Sequence, residues 1–214
     1  MEVAAGDRAA GQGRLMPDPS AAVLKITLDD VAPVVMRRVV VPANIRLDRL
    51  HLVIQAIMPW TNSHLYEIRV GEVGWGEMDP DGVFDGPLAA SKATLTSVLA
   101  DARKKTFGYI YDFGDGWEHT IKLEKIVPDA PPPLYLLLDA VGRCPPEDCG
   151  GAPGYARLLE VLADPSDPEH EDLLAWAEGP IDPKTADIAR LERNLEALAK
   201  RWAPRPRRTG LKKP

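Results

Sequence analysis

Two short runs concentrate the side chains able to do chemistry. The first is Tyr109–His119, read YIYDFGDGWEH, which gathers Asp112, Asp115, Glu118 and His119 with Tyr111 and Trp117 around a Gly-Asp-Gly turn. Carboxylates beside an imidazole are the ligand types of divalent cations such as zinc, and the same groups can relay protons. The second run is Arg143–Tyr155, RCPPEDCGGAPGY. Four residues separate Cys144 from Cys149, two prolines stiffen the interval, and two glycines follow it. Such a knuckle has zinc-ligand spacing, with Asp148 or a distant histidine to complete the shell. No second cysteine pair accompanies it, so thiols packed in a tight loop, or a disulfide, are the alternatives. Gly150, Gly151 and Gly154 could offer amides to an anion or simply admit the chain to a helix; without a preceding strand and a Lys-Ser/Thr pair they make no P-loop. His51 and His64 stand outside both runs.

The first run must be positioned by a hairpin. Phe107, Tyr109, Tyr111 and Phe113 alternate, and so do Trp117, His119, Ile121 and Leu123. A two-residue turn at Asp115-Gly116 would set the aromatic face against a polar one. A three-residue connection, Gly114-Asp115-Gly116, sets Phe113 opposite Trp117, Tyr111 opposite His119 and Tyr109 opposite Ile121, which makes one apolar face. Gly116 is then the left-handed residue of a bulge. This register makes Asp112 and Glu118 neighbours on the other face, where they repel. An Arg or Lys neighbour or plain solvation would relieve them; so would a metal or a basic ligand group. His119 falls on the apolar face, as a satisfied core histidine or as a ligand or base.

Further elements frame the hairpin. Val23–Leu28 and Val34–Val41 read as strands, the second ended by Pro42. Arg37 and Arg38 point to opposite faces of it; one could lie over a carboxylate pair, although strand arginines usually face solvent. Leu47–Met58 carries an apolar stripe of helical period, with His51 beside it and Pro59 as its stop. His64–Val70 reads as a strand, Gly71–Gly76 as a turn and strand fragment, and Asp79–Pro87 as a loop without the spacing of a calcium site. Leu95–Ala102 reads as a short helix. After Ile126 a proline run suggests an extended connector. Three helices follow: Tyr155–Ala163, one capped by Asp167 with Pro168 first, and one capped by Asp182. Ile188, Leu191, Leu195, Leu198 and Trp202 form a seam on the last, for packing on the domain or for a short coiled coil. Residues 1–20 read as a disordered leader, 21–202 as a single α+β domain with its helical part at 152–202, and 203–214 as a basic disordered tail.

The chain's 214 residues suffice for one good core. A net charge of −6 argues against a nucleic-acid coat over the body, leaving only the basic tail to touch nucleic acid. No apolar run approaches membrane-spanning length, and the first residues lack the apolar core of a signal peptide, so a cytoplasmic location is the expectation.

Leu50, His51, Ile54, Gln55, Met58 and Trp60, then His64 and Leu65, the YDFGDGWEH run, CPPEDCGG with Gly154-Tyr155, and Asp164-Pro165, Pro168-Glu169-His170 and Asp182-Pro183 form a pattern. Across roughly Val23 to Trp202 it resembles the plasmid pRiA4b ORF-3-like family, whose members also travel as passengers of insertion sequences under a resolvase-like label. Met36 departs from the tryptophan common there, and Arg46 replaces a usual small helix cap. The resemblance implies an α+β fold, a mixed sheet with a β-grasp-like strand-strand-helix-strand opening, and it carries over no activity. No segment looks like a serine recombinase's nucleophile and arginine cluster. Three functions stay open: a cytoplasmic binding or adaptor module for a protein or small ligand; a metal-dependent enzyme using Asp112, Glu118, His119, Cys144 or Cys149; and an accessory protein of mobile DNA acting through the tail.

Overall fold

The computed structural model describes residues 20–77, 86–132 and 134–203. The expected leader (except its last residue), most of the 79–87 loop and the tail beyond 203 lie outside the described residues. Eight strands form one mixed sheet: β1 (Ala21–Leu28), β2 (Val35–Pro42), β3 (Tyr66–Val70), β4 (Val73–Gly76), β5 (Leu88–Ala89), β6 (Thr106–Tyr111), β7 (Trp117–Val127) and β8 (Leu136–Val141). Their order is β5-β4-β3-β6-β7-β1-β2-β8, and only β4 and β5 run parallel. Helices α1 (Leu47–Ile57), α2 (Leu95–Ala102), α3 (Gly151–Ala163), α4 (His170–Trp176) and α5 (Ile188–Trp202) complete the fold. The opening runs strand-strand-helix-strand, as expected for this α+β class.

Period and burial agree closely. On β2, Val35, Arg37, Val39 and Val41 are buried and their neighbours are not. The stripe of α1, including Leu47, Leu50, Ile54 and Ile57, is fully buried against the sheet's inner residues. Such burial of aliphatic side chains contributes about 1.5–3 kcal/mol each. Arg46 provides no side-chain cap for α1 and pairs instead with Asp48, at 2.6 Å. α5 packs on α1 and β8 through the seam, with Leu191 and Leu195 buried. Asn194 Nδ2 donates to the Ala56 carbonyl at 3.0 Å, and Arg49 lies over the Trp202 ring.

The hairpin register differs from the expected one by two residues. Tyr111 stands opposite Trp117, Tyr109 opposite His119 and Phe107 opposite Ile121. Glu118 is opposite Ile110, so the expected Asp112–Glu118 pair does not exist. A shift of two preserves the face, which is why the aromatic set still points inward. The cause is a five-residue turn. Asp112 adopts a left-handed φ of +56° and its N–H donates to the Leu65 carbonyl at 2.9 Å, taking it out of the ladder. Its Oδ1 accepts from Gly114 N and its carbonyl from Gly116 N, at 2.9 and 2.7 Å. Phe113 is left exposed in the turn.

Other boundaries moved for local reasons. The stretch expected as a connector holds β8, which pairs with β2 at the sheet's edge. Asp182 closes a turn with Lys184 N and Thr185 Oγ1, and Asp187 caps α5 by accepting from Arg190 N. Asp167 similarly closes a turn on Glu169 N, and α4 begins only at His170.

Candidate functional site

The two dense runs meet in space. Tyr111, at the end of β6, donates its hydroxyl to Glu147 Oε1 at 2.5 Å and accepts from Ser63 N at 3.0 Å. Glu147 also takes Thr61 N at 2.9 Å, and Trp60 Nε1 donates to the Pro145 carbonyl at 3.0 Å. These bonds pin the proline-rich start of the second run to the chain between α1 and β3. Its glycine end is pinned to the hairpin tip: Gly150 N donates to Asp115 Oδ2 at 3.2 Å. The amide the sequence offered to an external anion is thus taken by the chain's own carboxylate. Gly150 and Gly151 have φ of +87° and +68°, and a Cβ on Gly151 would fall on the Asp115 carbonyl. Glycine is required there by both backbone and space.

This docking brings His64, Asp112 and Asp148 together. His64 Nε2 is 3.1 Å from Asp148 Oδ1 and 3.6 Å from Asp112 Oδ2. One ligand-type atom from each residue lies within 4.8 Å of the other two, the one such cluster among the described residues. The 3.1 Å approach is off the hydrogen-bond direction: His64 Nε2 is buried and has no hydrogen-bond partner among the described residues. Asp112 and Asp148 both hold left-handed backbones, φ +56° and +59°. Non-glycine residues held there often mark functional positions. The Asp112 side chain is 12% exposed and that of Asp148 is 69%, so the cluster opens to solvent on the Asp148 side. Two carboxylates and an imidazole form an oxygen-rich ligand set for a divalent cation and leave positions for water or another ligand.

The other expected site residues lie elsewhere. Glu118 lines a shallow groove of about 430 Å³ on the outer face of the sheet, with Asp29, Arg69 and Lys104. His119 is buried on the inner face among Trp60 and Tyr109, its Nδ1 3.0 Å from the Trp117 carbonyl. Burial pushes its pKa down to about 4, so it is neutral at physiological pH. Its Nε2 and Trp117 Nε1 have no hydrogen-bond partner among the described residues. Cys144 is buried and Cys149 half-buried; both are free thiols, and burial raises their pKa values. They are not part of the cluster. His51 stacks on Tyr66 at 3.6 Å, and its Nδ1 is 2.9 Å from the Tyr109 hydroxyl. Gln55 Nε2 donates to that hydroxyl, which therefore donates to His51 Nδ1 and leaves His51 Nε2–H for Asn62 Oδ1. His51 is a core polar residue.

Of the expected metal set, Asp112 alone joins the cluster; His64 and Asp148 come from the surrounding motif positions. What sequence reasoning missed was their partnership. The only signal for it was that a knuckle carboxylate or a distant histidine could complete a shell.

A family model described as Plasmid pRiA4b ORF-3-like protein matches residues 20–190. The chain is 49% identical over 186 residues to the uncharacterized protein y4hQ of Sinorhizobium fredii, covering 86% of this chain and 95% of that one. It is also similar to the crystal structure of a protein of unknown function, MM3350, from Methanosarcina mazei Go1. There the TM-score is 0.72 and the identity 31%, over 80% of this chain and 97% of the other.

Proposed function

The chain belongs to the plasmid pRiA4b ORF-3-like family, a family without an established activity, and we propose that it is a binding module that holds a divalent cation through His64, Asp112 and Asp148. The observation that carries this reading is His64 Nε2, buried without a hydrogen bond between two carboxylate oxygens. A cation there would satisfy all three groups at once and offset the carboxylate repulsion. The module works in the cytoplasm, and its partner is a protein or a small ligand that completes the cation's open positions. The basic tail, in this reading, is the only part that would touch nucleic acid.

The test is calorimetric titration of chelator-stripped full-length protein with zinc and with manganese. One site per chain is expected, lost in Asp112→Asn and His64→Ala and kept in Cys144→Ser. A site that survives Asp112→Asn but disappears with either cysteine would sink the assignment. A second reading, a metal-dependent enzyme, draws on the open side at Asp148, because catalytic sites keep a free coordination position. Turnover of ester or phosphoester substrates by the metal-loaded chain, abolished by the same substitutions, would move the conclusion there. A role in mobile DNA would instead appear as salt-sensitive DNA binding removed by deleting residues 205–214.

A further inference from the structure

A cleft of about 520 Å³ is lined in part by the Pro145–Asp148 segment. Its walls include Trp60, Arg143, Cys144, Trp176 and Arg190, and Arg37 forms part of it from β2. Arg37 is 1% exposed, against the usual solvent-facing fate of a strand arginine. Its Nε donates to the Ile57 carbonyl at 2.8 Å, and its Nη1 to the carbonyls of Met36 and Val141 at 2.8 and 2.7 Å. Among the described residues it makes no ion pair, and Nη2 carries none of these bonds. Burying a guanidinium without a counter-charge is costly, and an arginine stays charged at neutral pH. Cys144 beside it does not neutralise it, because burial keeps that thiol protonated. Three backbone bonds hold the guanidinium rigidly, so its remaining edge is a fixed donor.

Three of the cleft's four acids are otherwise engaged, and the fourth, Glu178, is exposed with no side-chain partner among the described residues. Glu147 is held by Tyr111 and Thr61, and Asp187 caps α5. Asp148 belongs to the cation cluster. Arg143 and Arg190, both exposed, have no ion-pair partner among the described residues. The cleft therefore offers one buried and two exposed guanidinium groups with an aromatic wall at Trp176.

We propose that this cleft binds an oxyanion-bearing small molecule, a carboxylate or a phosphate, with Arg37 as the fixed cation at its base and Arg143 and Arg190 closing on it from the rim. The proposal goes beyond the cation site, with which it shares only Asp148, and it requires no metal. Guanidinium groups match planar carboxylate and tetrahedral phosphate oxygens through paired N–H donors.

The test is titration of the full chain in EDTA with inorganic phosphate and, separately, with benzoate, read by calorimetry and tryptophan fluorescence. Saturable one-to-one binding of one of the two is expected, and which one binds identifies the class of anion. Arg37→Met should weaken it about tenfold or more, the loss typical of a charge-assisted hydrogen bond. His64→Ala should leave it unchanged, which separates this result from failure of the cation site. If Arg37→Met does not fold, the surface double variant Arg143→Ala/Arg190→Ala decides, with weaker binding expected. Binding of neither anion, undiminished binding in the folded variants, or binding only with added manganese and lost in His64→Ala would each overturn the proposal.

Discussion

His51 and His119 show how burial sets the behaviour of single residues. Burial lowers both to pKa values of about 4, against 6.5 for an exposed imidazole. The folded state therefore binds fewer protons than the unfolded chain between those values. Their contribution is fully present above pH 6.5 and is lost as pH falls towards 4. By pH 5 the loss is about 2 kcal/mol for each histidine. Urea unfolding at pH 7.5 and at pH 5.0 should show the midpoint fall, with the His51 and His119 imidazole signals of the native protein still neutral at pH 5. A flat or rising midpoint would show that these imidazoles carry protons in the folded state. His119 is enclosed by aromatic rings, whereas the partly exposed His64 ends with its buried Nε2 between two carboxylates.

At the scale of elements, the site depends on two loops held in register by glycines. Gly116 and Gly151 both have left-handed φ, but only Gly151 has backbone where a side chain would go. Gly116→Ala should cost about 1–2 kcal/mol, the left-handed backbone penalty alone, and leave cation binding intact. Gly151→Ala should cost more than that and weaken the cation site as well, because the Asp115 carbonyl must move and the hairpin tip carries Asp112 with it. Thermal melts and cation titration of the two variants check the contrast; equal effects would detach the glycine turn from the site. The limits of sequence reading lie in these loops. Strands β1, β2, β3, β6 and β7 and helices α1 and α2 were legible because period and breakers agree over many residues, as in Leu47–Ile57, whereas β8 was hidden behind a proline run that reads as a connector. The inward face of the hairpin was legible as well, since any even shift preserves it. The turn length was not, because it depends on Asp112 N reaching Leu65, a tertiary bond. For the same reason the Asp112–Glu118 pair was expected where His64 and Asp148 in fact approach. Alternation placed Arg37 and Arg38 on opposite faces without saying which one turns inward; Arg37 does, against the usual solvent-facing fate of a strand arginine, and carbonyls from α1, β2 and β8 hold it there.

Across the whole molecule, the cluster joins parts of the chain that are far apart in sequence. His64 precedes β3, Asp112 follows β6, and Asp148 lies shortly before α3. A cation bound there ties the centre of the sheet to the start of the helical part, so its effect should be global. A ligand at a hundred times its dissociation constant stabilises the native state by about 2.7 kcal/mol when it has no affinity for the unfolded chain. For a chain of this size, each kcal/mol moves the melting temperature by about 2–4 °C. Saturating zinc or manganese should therefore raise the single unfolding transition by about 5–10 °C, and Asp112→Asn should abolish the rise. Hydrogen exchange should report the route of coupling. Amides of 112–116 and 147–151 should slow together, because Asp115 and Gly150 bond the two loops to each other. Protection confined to one loop, with the melting temperature unmoved, would mean that the three side chains approach without acting as a joint.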